Sequence, residues 1–257
     1  MKYTHLNLTW LRLMRRARAE LLGHGFRHFA RAGFRSMATR VRRRLRTAWR
    51  YAQWALISVT PPQTFLFQGS EYEYFHHPHN ATWQNERAVE VPIVRRAIDE
   101  AGDVRVLEVG NVLGHYTRHD HDVVDKYEPG RNVLNVDILA FRTNERYDLI
   151  VSISTLEHVG WDDDQRDPGK IPRVVSHLRS LLAPGGRAIV TLPLGYNRYL
   201  DELHQAGRID FDHERCLLRV DRTRWREVER ANLGAPAYGM PFPGANGLVI
   251  GVIEGGG

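Results

Sequence analysis

The segment VLEVGNVLGHY, residues 106–116, joins an apolar run to an acid and two glycines. Gly110 and Gly114 let the backbone bend and approach a ligand without a Cβ in between. Glu108 puts a carboxylate at the end of the apolar run, which suits a cationic amine better than a phosphate. We therefore predict a binding loop in which Glu108, Gly110, Asn111 and Gly114 contact a ligand, the alternative being a plain strand-to-helix turn.

Further acids follow the next two apolar runs. Asp125 ends VVD and Asp137 ends NVD, with Lys126 and Ile138 directly after them. One carboxylate can accept hydrogen bonds from both hydroxyls of a ribose, and another can accept one from the exocyclic amine of adenine. Together with an acid that suits an amine, these residues indicate a nucleoside that carries an amino acid. That description fits S-adenosylmethionine, and the missing G-x-G-x-x-G pattern disfavours a nicotinamide-dependent oxidoreductase.

From residue 104 onward, short apolar runs alternate with turns and helical stretches, a pattern typical of an α/β fold with a parallel sheet. The predicted strands are VRVLEV, DVVD, VLNVDI, DLIVSIS, RAIVTL, CLLRV and LVIGVIE. We predict a seven-stranded, mostly parallel Rossmann-like sheet with helices on both faces. A helix is expected from about residue 86 to 101, kinked or started by Pro92. The stretch FLFQGSEYEYFHHPHNATWQNE before it is expected to be a loop, with its histidines forming an active-site lid or a surface loop.

The N-terminal part differs sharply in charge from the rest. Residues 1–50 contain 14 Lys and Arg but one acid, Glu20, whereas the remaining residues carry 22 basic and 29 acidic side chains. Apolar residues at helical spacing among these arginines predict a basic amphipathic helical extension over residues 1–60, ended by two prolines. Residues 61–257 then form the second domain. The basic arm over residues 1–50 suits an anionic membrane surface or a nucleic acid, and an organellar transit peptide is a further alternative.

Composition excludes several protein classes. The single cysteine, Cys216, rules out an intramolecular disulfide framework and a multi-cysteine zinc site. No run reaches the ~20 apolar residues that a membrane-spanning helix needs. Arginines interrupt the apolar residues at the start, where a secretory signal would be continuous. We expect a cytoplasmic protein, with a peripheral position at the membrane as the alternative.

The motifs occur in an order that resembles the class I S-adenosylmethionine-dependent methyltransferases. The resemblance covers residues 104 to about 197 and rests on LEVGNVLGHY, VVDKYE, NVDI, YDLIVSISTLEHVG and LLAPGG. It implies S-adenosylmethionine as the cofactor, an enzyme that transfers a methyl group, and Ser154 in the cofactor site. The sequence departs from the family twice. The loop reads G-N-V-L-G instead of the common G-x-G-x-G, and only KYEPGR links the second and third strands, which predicts an extended crossover without a helix unless one strand is missing.

Residues on the acceptor side are predicted from the loops after the fourth and fifth strands. Imidazole, with an unperturbed pKa near 6.5, can accept a proton at neutral pH, so His158 is the predicted general base. Asp162 and Asp201 are further catalytic candidates, while Tyr196 and Asn197 are predicted to bind the acceptor. Arg87 is a lesser candidate for the methionine carboxylate of the cofactor. No metal is expected, because Ser154 stands where metal-using O-methyltransferases with a similar loop have an additional acid. The alternative is a metal held by oxygen ligands from Asp162, Asp163 and Asp164.

The predicted reaction is transfer of the methyl group of S-adenosylmethionine to an oxygen or nitrogen atom. The acceptor is expected to be a glycan, a lipid-linked sugar or a small metabolite. The alternative is an RNA methyltransferase or RNA-binding protein that uses the basic N-terminal arm.

Overall fold

This computed structural model describes residues 42, 45, 47–57 and 63–256. The chain divides into two compact units, Met1–Leu56 and Ile57–Gly257. Within the first unit the described residues are helical, and four large apolar side chains are exposed, namely Leu45, Trp49, Tyr51 and Leu56. The remainder of the predicted basic extension lies outside the described residues, so the domain boundary at residue 60 stays a prediction. Among the residues described, no helix is both long and apolar enough to cross a bilayer.

The described residues of the second unit form ten strands and four α-helices. The strands are β1 (Thr64–Phe67), β2 (Ser70–Glu73), β3 (Val106–Val109), β4 (Asp122–Val124), β5 (Val133–Leu134), β6 (Tyr147–Ile153), β7 (Leu182–Pro193), β8 (His213–Arg219), β9 (Trp225–Val228) and β10 (Gly247–Glu254). The helices are α1 (Arg87–Ala101), α2 (Lys170–Leu181), α3 (Arg198–Gln205) and α4 (Arg230–Leu233).

Eight of these strands form one sheet in the order β5-β4-β3-β6-β7-β10-β8-β9. The strands from β5 to β7 are parallel, while β10, β8 and β9 pair antiparallel. The α/β fold is confirmed, and all seven predicted runs contain a strand of this sheet. The eighth strand, β9, was not predicted. The link between β4 and β5 contains no helix and still joins two parallel neighbours, as expected from its short length.

The loop predicted over residues 65–86 is wrong in its first part. Residues 64–73 form an antiparallel hairpin of β1 and β2, with Phe65 paired to Tyr72. Its turn places both central residues at positive φ, 51° for Gln68 and 71° for Gly69, which is the geometry that matches the twist of a two-residue hairpin. Phe65 and Phe67 are buried in the same apolar cluster as residues of α1.

Two apolar clusters cover the two faces of the main sheet. Alternate residues of β6 divide between them, with Leu149 and Val151 in the cluster that contains α1 and Ile150 in the cluster that contains α2. On α2 the buried residues Ile171, Val174, Val175 and Leu178 recur at helical spacing, which gives one apolar face. The helix α1 begins at Arg87 and continues through Pro92. Helices on both faces leave the carboxyl ends of the parallel strands open for a site.

Candidate active site

A cavity of about 410 Å³ lies at the carboxyl ends of the parallel strands β3 to β6. Open α/β sheets bind ligands in this position. The predicted site residues that line it are Gly110, Asn111, Asp125, Lys126, Asp137, Ile138, Ser154 and His158. The structure therefore brings together residues from four separate strand ends.

The loop after β3 requires glycine at its first position. Gly110 has a φ of 90°, and a Cβ there would lie 2.0 Å from Oγ1 of Thr155. The Gly110 N–H donates to the carbonyl of Val124 at 2.8 Å, and the Asn111 N–H donates to Oδ2 of Asp125 at 2.8 Å. These bonds fix the loop against the end of β4, so the backbone that lines the cavity is set before a ligand arrives.

Glu108 has a different role from the predicted one. Its side chain is buried, and Oε1 accepts hydrogen bonds from the N–H groups of Val112 at 2.8 Å and Leu113 at 2.7 Å. It does not line the cavity, so the predicted contact with a ligand amine is corrected to a positioning role. The ligand contact predicted for Gly114 is corrected too, because Gly114 does not line the cavity. A Cβ at this position would lie 2.4 Å from Oδ1 of Asn111, so the glycine leaves room for that side chain.

Asp125 presents an oriented carboxylate at the end of β4. Its Oδ1 accepts hydrogen bonds from the N–H groups of Tyr127 at 2.8 Å and Glu128 at 2.7 Å. Its Oδ2 accepts the one from Asn111 described above, which leaves that oxygen able to accept a second hydrogen bond. A carboxylate fixed in this way can receive a ligand hydroxyl without first being ordered.

Asp137 belongs to an ion-pair network beside the cavity. Nζ of Lys170 lies 2.8 Å from Asp137 and 2.5 Å from Asp163, while Nζ of Lys126 lies 2.6 Å from Asp163. Burial alone would raise the pKa of Asp137, but hydrogen bonds from Lys170 and from the N–H of Leu139 lower it overall. The pKa of Asp163 is lowered further by its two lysines, again against burial. Both carboxylates are therefore ionised at neutral pH.

A buried ion pair supports the other side of the cavity. Arg87 lines the cavity, and its Nη1 lies 2.5 Å from Oε2 of Glu90. The residue Glu90 is fully buried. The second oxygen of Glu90 accepts hydrogen bonds at 2.6 Å from Ser154 and from Thr191. Ser154 is held at a φ of 38° by these contacts. The serine thus ties the loop after β6 to α1, in addition to lining the cavity.

Two other buried glutamates, Glu86 and Glu157, interact electrostatically with Arg87. The carboxylate of Glu157 is buried, and its Oε2 has no hydrogen-bond partner among the residues described. Burial raises the pKa of Glu157 well above its ordinary value, despite the attraction of Arg87. Burial and the neighbouring Glu90 also raise the pKa of Glu86, although its Oε2 accepts a hydrogen bond from the N–H of Ala245 at 2.8 Å. This region holds more carboxylates than positive charges.

His158 lies on the cavity and is paired with an acid. Its Nδ1 is 2.6 Å from Oδ2 of Asp162, and its Nε2 is 3.5 Å from Oε1 of Glu157. The hydroxyl of Tyr196 donates to the same oxygen of Asp162 at 2.9 Å, and its ring meets the imidazole edge to face at 4.8 Å. Burial, with Asp162 beside it, raises the pKa of Tyr196 to about 12. Asp162 and Tyr196 therefore orient His158 without lining the cavity themselves.

Two predicted residues near α3 have mainly structural partners. Asn197 is 1% exposed and caps α3, since its Oδ1 accepts from the N–H groups of Tyr199 and Leu200. Its Nδ2 donates to the carbonyl of Glu157 at 2.8 Å. Oδ1 of Asp201 accepts from the N–H of Gly195 at 2.9 Å. Neither residue lines the cavity, so the substrate contact predicted for Asn197 and the catalytic role predicted for Asp201 are corrected to positioning of this loop.

Several cavity residues were not predicted as site residues. They come from the segment before α1, the loops after β3, β4 and β6, and the start of α2, and they include His79, Asn80, His115, Tyr116, Tyr127, Glu128, Asp163 and Lys170. The rings of His79 and His115 stack at 4.6 Å and both residues line the cavity, so the histidine-rich segment reaches it. Its role as a lid or a surface loop stays a prediction. The signal for this was the aromatic and histidine content of YFHHPHN.

No protein-family model matches this chain, and no curated protein matches it. Solved structures that match include the N-methyltransferase NodS from Bradyrhizobium japonicum WM9, 18% identical with a TM-score of 0.41, covering 67% of this chain and 97% of that chain. A TehB-like SAM-dependent methyltransferase from Corynebacterium glutamicum ATCC 13032 Kitasato is 17% identical with a TM-score of 0.38, covering 62% of this chain and 85% of that chain. Similarity at this level assigns neither a reaction nor a substrate to this chain.

Proposed function

We propose that this protein is a class I S-adenosylmethionine-dependent methyltransferase that methylates an oxygen or nitrogen atom. The observation that carries the proposal is the convergence of the Gly110 loop, Asp125 and Asp137 on one cavity from three consecutive strand ends. A nucleoside with an amino-acid tail needs this combination of close backbone approach and separated carboxylates.

The residues fit this cofactor in their donor and acceptor chemistry. Asp125, held by three backbone N–H groups, is suited to accept hydrogen bonds from ribose hydroxyls. Asp137 and the apolar Ile138 are suited to the adenine, and Arg87 carries the positive charge that a methionine carboxylate needs. When bound, S-adenosylmethionine supplies an electrophilic methyl group for in-line displacement, so the protein mainly positions the reactants.

His158 is the residue best placed to remove a proton from the acceptor. The short contact of Nδ1 with Asp162 favours the tautomer that carries its hydrogen on Nδ1, which leaves Nε2 able to accept a proton. Tyr196 and Asp162 hold the ring in this orientation. A glycan, lipid-linked sugar or small metabolite that offers a hydroxyl or amine is the acceptor we favour.

Calorimetry of the unmutated full chain tests the proposal. S-adenosylhomocysteine and S-adenosylmethionine are titrated separately, with a reduced nicotinamide dinucleotide as the matched control ligand. We expect saturable binding of the first two and no binding of the dinucleotide. Binding of the dinucleotide alone would overturn the methyltransferase proposal and favour a nicotinamide-dependent oxidoreductase.

The basic arm supports a second, separate proposal about partners. Fourteen basic residues against one acid in residues 1–50, with exposed apolar Leu45 and Trp49 among them, suit an anionic membrane surface. This proposal implies a cytoplasmic protein that is peripheral at the membrane. Each basic residue near such a surface contributes about 1 kcal/mol, so the binding should be strong and salt-sensitive.

Co-sedimentation distinguishes the possible partners of the arm. The full chain is compared with a variant in which Arg42, Arg43, Arg44 and Arg46 are replaced by Glu. We expect the full chain to bind anionic but not neutral vesicles, and the variant to lose that binding while keeping its affinity for S-adenosylhomocysteine. Salt-dependent RNA binding that exceeds vesicle binding would instead favour the RNA alternative.

A further inference from the structure

A second cluster of chemically capable side chains lies behind the glycine loop. Glu108 is fully buried, and the side chains of His119 and His121 are 11% and 10% exposed. Oε2 of Glu108 is 2.9 Å from Nε2 of His121 and 3.8 Å from Nε2 of His119. One possible ligand atom from each of the three residues lies within 4.8 Å of the other two. Two imidazoles and one carboxylate are a common ligand set for divalent transition metals.

One buried polar atom of this cluster lacks a hydrogen-bond partner in the described structure. Within the described part of the chain, the ion pairs of Glu108 are with these two imidazoles. Nδ1 of His119 is buried without a hydrogen-bond partner among the described residues. The two rings stack at 3.9 Å between centroids, an arrangement that disfavours charge on both.

We propose that Glu108, His119 and His121 bind a divalent transition-metal cation such as Zn²⁺, which holds the glycine loop in place. The two oxygens of Glu108 can bind the loop and the cation at the same time. Oε1 accepts from the N–H groups of Val112 and Leu113, while Oε2 points to the imidazoles. A cation on Oε2 fixes the carboxylate in the orientation in which Oε1 meets these two N–H groups.

A second cluster, His204, Glu214 and Cys216, is the natural comparison. There Nη1 of Arg230 lies 3.2 Å from Oε1 of Glu214, so a positive charge already pairs with the carboxylate. Burial raises the pKa of Cys216 to about 11, which disfavours the thiolate that binds metals. These two differences are the reason for assigning the cation to the His119 cluster.

The test is calorimetric titration of the chelator-treated full chain with Zn²⁺ alone. We expect one tight site, and a loss of affinity of at least about 10–100-fold in His119→Ala and in His121→Ala, since even changes behind a metal ligand have effects of this size. His213→Ala is the matched control, because His213 is exposed and lies 3.3 Å from an acid, Glu254, in another part of the sheet. The control should bind Zn²⁺ like the unmutated chain.

Further measurements keep the result interpretable. His121→Gln, with circular dichroism in chelator, separates loss of a ligand from loss of folding, and Co²⁺ absorption reports the coordination directly. The proposal is overturned if the unmutated chain shows no Zn²⁺ site, if His119→Ala and His121→Ala keep full affinity, or if His204→Ala abolishes the site instead. These readouts use no cofactor, so they are independent of the proposed methyltransferase function. A linked rise in S-adenosylhomocysteine affinity on adding Zn²⁺ is expected only where that function also holds.

Discussion

The carboxylates on the two sides of the candidate site have opposite tendencies to ionise. On the side proposed for the nucleoside, Asp137 and Asp163 contact lysine ammonium groups, and their pKa values are lowered in spite of burial. Next to His158, burial dominates and raises the pKa of Glu157, as it also does for Asp201 in the first turn of α3. The partners of a carboxylate, and not its residue type, therefore decide whether it serves as a fixed anion or as a neutral group.

The largest expected effect tests the acceptor side. His158→Ala should reduce turnover by roughly 10²–10⁴-fold, the usual range for a positioned general base, with little change in S-adenosylhomocysteine affinity. Initial rates with an identified acceptor and calorimetry of the same preparation measure the two quantities. Full activity in this variant would remove His158 from catalysis, while loss of cofactor binding would indicate that it supports the fold.

The next effect tests the rigidity of the nucleoside side. Gly110→Ala combines a strained backbone at φ 90° with a Cβ only 2.0 Å from Thr155, so the free energy of unfolding should fall by roughly 2–5 kcal/mol. Gly185→Ala is the matched control, because Gly185 has a φ of 75° but no atom within 4 Å of the added Cβ. Urea unfolding should therefore show the smaller loss in the control. Equal losses would mean that the close approach to Thr155 is unimportant.

Asp125 should affect ligand binding more than stability. Asp125→Ala removes a carboxylate that three backbone N–H groups orient, and S-adenosylhomocysteine affinity should weaken by roughly 1–3 kcal/mol. Asp164→Ala, a change of an exposed acid that does not line the cavity, should leave affinity unchanged. Calorimetry on both variants gives the difference. Unchanged affinity in Asp125→Ala would contradict the proposed ribose contact.

The smallest expected effects are on the pH dependence of stability, which should be opposite for Asp137 and Glu157. Asp137 has a lowered pKa in the folded state, so its stabilising effect is present above the unfolded value of about 3.9 and is lost as the pH falls through the folded pKa. Asp137→Asn should therefore destabilise the protein near pH 7 and lose this effect in acid. Urea unfolding of the variant and the unmutated chain at several pH values measures the trend.

Glu157 should show the reverse trend. Its folded pKa is raised, so its neutral form stabilises the protein below the unfolded value of about 4.3, and stability is lost as the pH rises through the folded pKa. Glu157→Gln keeps the shape without the titration, so its stability relative to the unmutated chain should increase with pH. The same slope in Glu157→Gln and Asp137→Asn would remove the distinction between the two sides.

Much of the architecture could be predicted because it depends on local patterns. Each of the seven predicted runs contains a strand, since short β-branched segments between turns specify strands with little help from distant residues. The hairpin of β1 and β2 was missed because Gln68 takes a positive φ in a turn usually marked by Asn or Asp before the glycine. The strand β9 was missed because WREV is four residues long and only its pairing with β8 makes it a strand.

Local sequence determined which side chains follow the strands, because Gly110 and Asp125 come directly after β3 and β4, and Asp137 lies three residues after β5. Parallel strands then bring these positions to one edge of the sheet. Tertiary structure alone decided where each carboxylate points and what it pairs with. Glu90 meets Ser154 and Thr191 from 64 and 101 residues away, and Glu108 turns into the fold instead of toward the cavity. Burial and charge pairing arise from such distant contacts, and therefore the ionisation of the site cannot be seen in a local motif.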